Sequence, residues 1–156
     1  MNQLIGLLKS SGLSIACAES LTGGLFASEL CQQPGASQVF KGGVIAYQTS
    51  IKHDVLGVEQ WLIDNYGVVS AEVAQAMAQA ALTLFQSDIA VSFTGNAGPT
   101  VQDNRPVGMV FMAIATKDKS VVFNDMLVGD RNRIRQQCVE LMFERLMTMF
   151  RNVSNV

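Results

Sequence analysis

Ile15-Ala16-Cys17-Ala18-Glu19-Ser20-Leu21-Thr22-Gly23-Gly24 is an apolar run that ends on an acid, a serine and a pair of glycines. The run from Ile15 to Ala18 predicts a short buried strand, and Leu21, Leu25, Phe26 and Leu30 then recur at helical spacing. Ser20 is thereby placed where strand becomes helix. Backbone N–H groups at such a start lack intrahelical partners and point at any anion or developing oxyanion in front of them. Glycines let a ligand approach that backbone closely.

Ser20 has two readings at this level. One is a helix N-cap, its hydroxyl accepting an N–H bond from the first turn. The other is a nucleophile, which needs a base to take the hydroxyl proton. Lys52 can be that base if desolvation or nearby cations lower its pKa. Tyr47 closes the apolar segment Val44-Ile45-Ala46, so it belongs at the carboxyl end of a strand, where open α/β sheets place their ligands. The plainer alternative is a half-buried core tyrosine and a solvated lysine.

Working outward, Leu4, Ile5, Leu7 and Leu8 predict a first amphipathic helix that stops at Ser11-Gly12. Gln33 to Ser37 is a turn, and Val39 to Tyr47 reads as a second strand whose Gly42-Gly43 marks a close backbone approach. Short helices are expected around Ile51–Leu56 and Trp61–Asn65. Ser70 caps a stronger helix with Val73, Met77, Ala80, Ala81 and Leu84 on its apolar face. Asp88 to Phe93 is a strand that delivers Thr94-Gly95-Asn96-Ala97-Gly98-Pro99 to a loop running to Pro106. Val107–Ala115 and Val121–Val128 flank the turn Lys117-Asp118-Lys119 and predict an antiparallel hairpin, which makes the sheet mixed. Asp130 caps a last helix carrying Ile134, Cys138, Leu141, Met142 and Met149 on one side, with Phe143 and Met147 extending the apolar surface. That surplus suits a subunit interface, hence a homo-oligomer, or simply a well-covered helix. Strands and helices mixed from end to end favour an α/β fold, a three-layer α/β/α sandwich with a mixed sheet.

The 156 residues suit one domain, 1–156, able to bury about two thirds of its unfolded surface. Apolar residues make up 49% of the chain and charged ones 15%, yet no apolar stretch reaches the length of about 18 residues that a membrane span needs. The start, Met1 to Ile5, lacks the basic and apolar regions of a secretory signal, so the expected location is cytoplasmic. A net charge of −2 argues against broad nucleic-acid binding. Cys17, Cys31 and Cys138 fall in no zinc-type spacing and read as small buried hydrophobes. His53 has no second histidine to join it in a metal site and reads as a surface residue. Arg131 and Arg135, four apart on one helical face, either hold a phosphate or belong to a solvated stripe that pairs with Glu140 and Glu144.

With Ser20, Tyr47, Lys52, Thr94 and Gly129-Asp130-Arg131 to Arg135 in place, the chain resembles the C-terminal domain of competence/damage-inducible protein CinA, from about Leu4 to Met149. The family's Ala-Glu-Ser-Cys-Thr-Gly-Gly is matched with Leu21 in place of cysteine. Its Tyr-x-x-x-x-Lys is matched by Tyr47 and Lys52. Its Thr/Ser-Gly-x-Ala-Gly-Pro is matched by Thr94, Gly95, Ala97, Gly98 and Pro99, and its Gly-Asp-Arg-x-x-x-Arg by Gly129, Asp130, Arg131 and Arg135. The departures are Asn96 in place of an apolar residue and Thr100 to Arg105 where the family carries more glycines. At this length the expectation is a chain without the nucleotide-processing domain often fused to this one.

The resemblance implies a metal- and cofactor-independent amidohydrolase whose small-molecule substrate is nicotinamide mononucleotide, converted to nicotinate mononucleotide and ammonia in pyridine-nucleotide recycling. Ser20 would attack, Lys52 would move the proton and Tyr47 would orient or relay. Amides near Thr22 and Gly23, with Gly24 beside them, would hold the oxyanion. Thr94 and Gly95 would line the substrate, and Arg131 or Arg135 would take its phosphate. The alternative is a non-catalytic module that binds a phosphorylated nucleoside.

Overall fold

The computed structural model describes residues 2–153. Helix α1 (Asn2–Ser10) leads to strand β1 (Ile15–Glu19), helix α2 (Leu25–Cys31) and strand β2 (Phe40–Ile45). Helices α3 (Thr49–Asp54), α4 (Gln60–Tyr66) and α5 (Ala71–Phe85) follow. Strands β3 (Ile89–Gly95), β4 (Met109–Thr116) and β5 (Ser120–Met126) and helix α6 (Arg131–Val153) complete the chain. The sheet order is β2-β1-β3-β4-β5. β1 runs parallel to both β2 and β3, whereas β3–β4 and β4–β5 are antiparallel. The expected hairpin and the mixed α/β sheet are both present.

Alternation along each central strand divides the core in two. Ile15, Cys17, Ile89, Val91, Phe93, Val110, Met112 and Ile114 pack beneath α1, α2 and α6. The opposite face presents Ala16, Ala18, Ala90, Ala113 and Ala115 to α3, α4 and α5. These small side chains let α5 lie close, and it buries its own small side: Val73, Ala74, Met77, Ala78 and Ala81. The apolar face expected for α5 is thus rotated, and Leu84 is 53% exposed. Ser70 caps α5 as expected, accepting the Val73 N–H at 3.2 Å. Ser92 ties β3 to α5 by donating to the Ala74 carbonyl.

Two further details correct the sequence reading. α2 begins at Leu25, so Ser20 follows directly on β1 and opens a five-residue turn to Gly24 before the helix, and its hydroxyl caps nothing. Cys31 is exposed while Cys17 and Cys138 are buried. Of the two readings of the apolar surplus on α6, the well-covered helix fits its packing within the chain, with Phe143 buried and Leu141, Met147 and Met149 against the same core. The close approach at Gly42-Gly43 is real: a Cβ on Gly42, where φ is +140°, would meet the Phe85 ring at 2.9 Å. Among the described residues, no helix is long and apolar enough to cross a membrane.

Candidate active site at the carboxyl end of the parallel strands

Because β1, β2 and β3 are mutually parallel, their carboxyl ends share one edge of the sheet. The register pairs Glu19 with Ile45 on one side and with Phe93 on the other. Ser20, Tyr47 and Thr94 therefore emerge together, from segments far apart in sequence. The chain changes direction at β1, leaving toward β2 on one face and returning to β3 across the other, which opens a crevice where α/β sheets bind ligands.

The serine and the lysine meet through a ring of hydrogen bonds. Ser20 N–H donates to the Phe93 carbonyl at 2.9 Å, and Ala46 N–H donates to the Glu19 carbonyl at 2.8 Å. Lys52 Nζ then donates to the Ala46 carbonyl at 2.7 Å and to Ser20 Oγ at 3.1 Å. α3 folds back immediately after Tyr47, which brings Lys52 to the strand it has just left. The backbone ladder between β1 and β2 thus sets the distance between hydroxyl and amine.

Lys52 is 1% exposed. Burial disfavours its charged form and pushes its pKa from 10.5 down to about 8, with the Asp103 carboxylate pulling it back up in part. A fully charged lysine at this depth would need a salt-bridge partner, and its contacts are a hydroxyl and a carbonyl. An appreciable fraction of neutral amine near neutral pH, in contact with a serine hydroxyl, is the arrangement a lysine base requires.

Ser20 opens into a pocket of about 220 Å³ lined by Leu21, Tyr47, the loop from Gly95 to Gly98, Thr100, Gln102 and Arg131. A slightly larger pocket, about 270 Å³, lies between β4, β5 and α6, but half its lining residues are apolar and it holds no hydroxyl paired with a buried amine. Chemistry selects the smaller one. Arg131, the first residue of α6, bridges the pocket: Nη1 donates to the Gly98 carbonyl and Nη2 to Tyr47 Oη, both at 2.6 Å. Tyr47 is 54% exposed, so its ring is a wall of the mouth rather than part of the core.

The remaining site residues named from the sequence divide into lining and scaffold. Gly95 and Arg131 line the pocket. Thr94 is buried, and its hydroxyl donates to the Val68 carbonyl at 2.6 Å, securing the segment before α5. Thr22, Gly23 and Gly24 form the turn behind Ser20. The Gly23 amide is taken by the Ser20 carbonyl at 3.0 Å and the Gly24 amide by a Glu19 carboxylate oxygen, also at 3.0 Å. Thr22 Oγ1 is buried without a hydrogen-bond partner. Arg135 sits on the outer side of this turn, with Nη2 donating to the Thr22 carbonyl at 2.8 Å. His53 is exposed, and its Nδ1 pairs with the Val58 carbonyl at 2.9 Å. Arg133 makes the surface pair with Glu140.

Four contributors escaped the sequence reading. Thr100 and Gln102 line the pocket, and Asn96, 4% exposed, pins their loop. Its amide donates to the Gln102 and Arg105 carbonyls, at 3.1 and 2.9 Å, and accepts the Gln102 N–H at 3.0 Å. Glu19 is the fourth, and an acid at the end of an otherwise apolar buried strand was the signal for it. Among the described residues, no three His, Cys, Asp or Glu side chains are grouped as a metal site would need.

Comparison with known proteins agrees with this fold. A family model described as the CinA C-terminal domain matches residues 1–150. A competence-damage inducible protein of Bacillus cytotoxicus is 44% identical over 146 residues, which is 93% of this chain and 35% of the relative. The chain thus spans about a third of the length of such relatives. Among solved structures, a CinA superfamily protein from Klebsiella pneumoniae superposes with a TM-score of 0.92 at 27% identity, covering 97% of this chain and 98% of that one. The competence/damage inducible protein CihA from Agrobacterium tumefaciens gives 0.90 at 32% identity, covering 94% and 90%.

Proposed function

Because this chain belongs to the CinA C-terminal domain family, we propose that it is a serine amidohydrolase that converts nicotinamide mononucleotide and water to nicotinate mononucleotide and ammonia. The observation that supports this most directly is the 3.1 Å hydrogen bond between the buried Lys52 Nζ and Ser20 Oγ. Neutral Lys52 takes the hydroxyl proton as Ser20 Oγ bonds to the carboxamide carbon. The same proton passes to the leaving nitrogen, the C–N bond breaks, ammonia departs and an ester to Ser20 remains. Water then attacks the ester while Lys52 accepts its proton and returns one to Ser20 Oγ. Nicotinate mononucleotide is released.

The developing oxyanion needs donors. The Ser20 amide is held by Phe93 and the Gly23 amide by Ser20 itself, whereas among the described residues the Leu21 and Thr22 amides have no partner. Those two are the donors we assign to the oxyanion. Arg131 uses one N–H of each terminal nitrogen on Gly98 and Tyr47 and has the rest of its fork for a substrate phosphate at the pocket mouth. Tyr47, held by that arginine, is assigned to orienting the substrate.

The test is ammonia and nicotinate mononucleotide production by wild type and by folded Ser20→Ala. The expected result is product from wild type alone. Absence of product from wild type, with nicotinamide mononucleotide still raising its melting temperature, would leave a binding module in place of the enzyme.

A further inference from the structure

The turn from Ser20 to Gly24 is gripped from both sides by charged groups that never reach the pocket. Glu19, 1% exposed, folds its carboxylate under the turn. Its Oε2 accepts the Gly24 and Phe26 amides at 3.0 and 3.1 Å, and its Oε1 accepts the Ala27 amide at 2.9 Å and the Cys17 thiol at 3.5 Å. α2 has no other side-chain cap at this end. From the outside, Arg135 of α6 donates from Nε to the Leu21 carbonyl at 3.1 Å and from Nη2 to the Thr22 carbonyl at 2.8 Å. Its Nη1 reaches Asn132 Oδ1 at 3.4 Å. The carboxylate therefore takes amides and the guanidinium takes carbonyls of one short segment, and each bond is charge-assisted.

We infer that Glu19 and Arg135 are positioning residues for Ser20, clamping its turn so that the hydroxyl stays in hydrogen-bonding reach of Lys52. This rests on Ser20 acting as nucleophile. A turn with glycines at φ of +58° and +92°, Gly23 and Gly24, has little stiffness of its own. A misplacement of about 1 Å in a reacting group costs on the order of a hundredfold in rate. Arg135, whose fork is already engaged with backbone carbonyls, acts on the turn and not on a substrate phosphate. Glu19 cannot be replaced by glutamine without loss, because an amide nitrogen would face backbone N–H groups where a carboxylate oxygen now accepts them.

The experiment compares the full chain with Glu19→Gln, Arg135→Ala and Arg135→Lys in two readouts. Hydrogen exchange reports the turn itself. Amides of residues 20–27 are expected to exchange about tenfold faster in each variant, with β4 and β5 unchanged. A serine-directed fluorophosphonate reports the nucleophile without presuming a substrate. Its rate of attachment to Ser20 is expected to fall by about ten- to a hundredfold, with the KM for nicotinamide mononucleotide nearly constant and added guanidinium partly restoring Arg135→Ala. Arg135→Lys keeps charge and loses the fork, so it carries the test if Glu19→Gln does not fold. Unchanged exchange in residues 20–27 would overturn the inference. So would an Arg135→Ala variant with normal labelling but a raised KM for the mononucleotide and not for its dephosphorylated riboside. A wild-type protein that the reagent does not label at Ser20 would instead sink the nucleophile, and the positioning role with it. Loss of mononucleotide turnover with Ser20 still labelled would sink the substrate alone.

Discussion

Lys52 is a buried amine whose usual charge is disfavoured, and the sign of that shift makes its behaviour testable. Activity is expected to rise through about pH 8 and then level off, as the folded-state value of the amine dictates. Lys52→Arg, charged at every accessible pH, should lose on the order of a thousandfold in kcat. Stability should follow the same titration. Between about 8 and 10.5 the unfolded chain holds the extra proton, so stability rises with pH across that window. Chemical denaturation of wild type relative to Lys52→Met should show a gain of about 1.5 kcal/mol from pH 8 to pH 9.5; a flat difference would mean the amine titrates normally. Ser20 and Lys52 could be named as candidates from sequence, but their contact could not be read there. It depends on the Glu19↔Ile45 register and on α3 turning back at once, and neither follows from local pattern.

The loop from Asn96 to Gly108 is held by its own polar side chains, and these holds are structurally linked. Asn96 stands where an apolar residue was expected, and its side chain makes three hydrogen bonds that hold Gln102 and Arg105. Asp103, with φ of +55°, accepts the Val69 N–H at 2.7 Å and so moors the loop against the entry to α5. These polar pins hold the loop in one shape. Asn96→Ala should raise KM several-fold with a smaller change in kcat, and should lower stability by about 1–3 kcal/mol for the buried groups left unpaired. Steady-state kinetics and thermal denaturation check both. Element types were readable from periodicity, as the β4–β5 hairpin and the Ser70 cap show. The start of α2 was misplaced because Leu21 continues the helical spacing of Leu25, while Glu19, not Ser20, supplies the cap.

Across the whole molecule, one sheet face is largely alanine and the other carries large aliphatic and aromatic side chains, over which Phe26 of α2 stacks 5.1 Å from Phe143 of α6. The alanine face has no slack. Ala113→Leu should cost about 1–3 kcal/mol by overpacking against α5, whereas truncating the exposed Leu84 to Ala should cost no more than about 0.5 kcal/mol. Thermal melts of the two variants order them. The three-layer class was legible from strands and helices mixed along the chain; the α5 face was not, because an alanine sheet surface can only be recognised once strands from residues 16, 90 and 113 lie side by side. The same layout separates two ends. Ser20, Gly95 and Arg131 gather at one, while the tip at Lys117-Asp118-Lys119 lies at the other, beyond β4, which runs away from the pocket for eight residues, roughly 25 Å. A tether, label or inserted peptide at Asp118 would therefore hang a full strand's length from the chemistry, and the protein could be fastened to a surface there with its pocket facing outward.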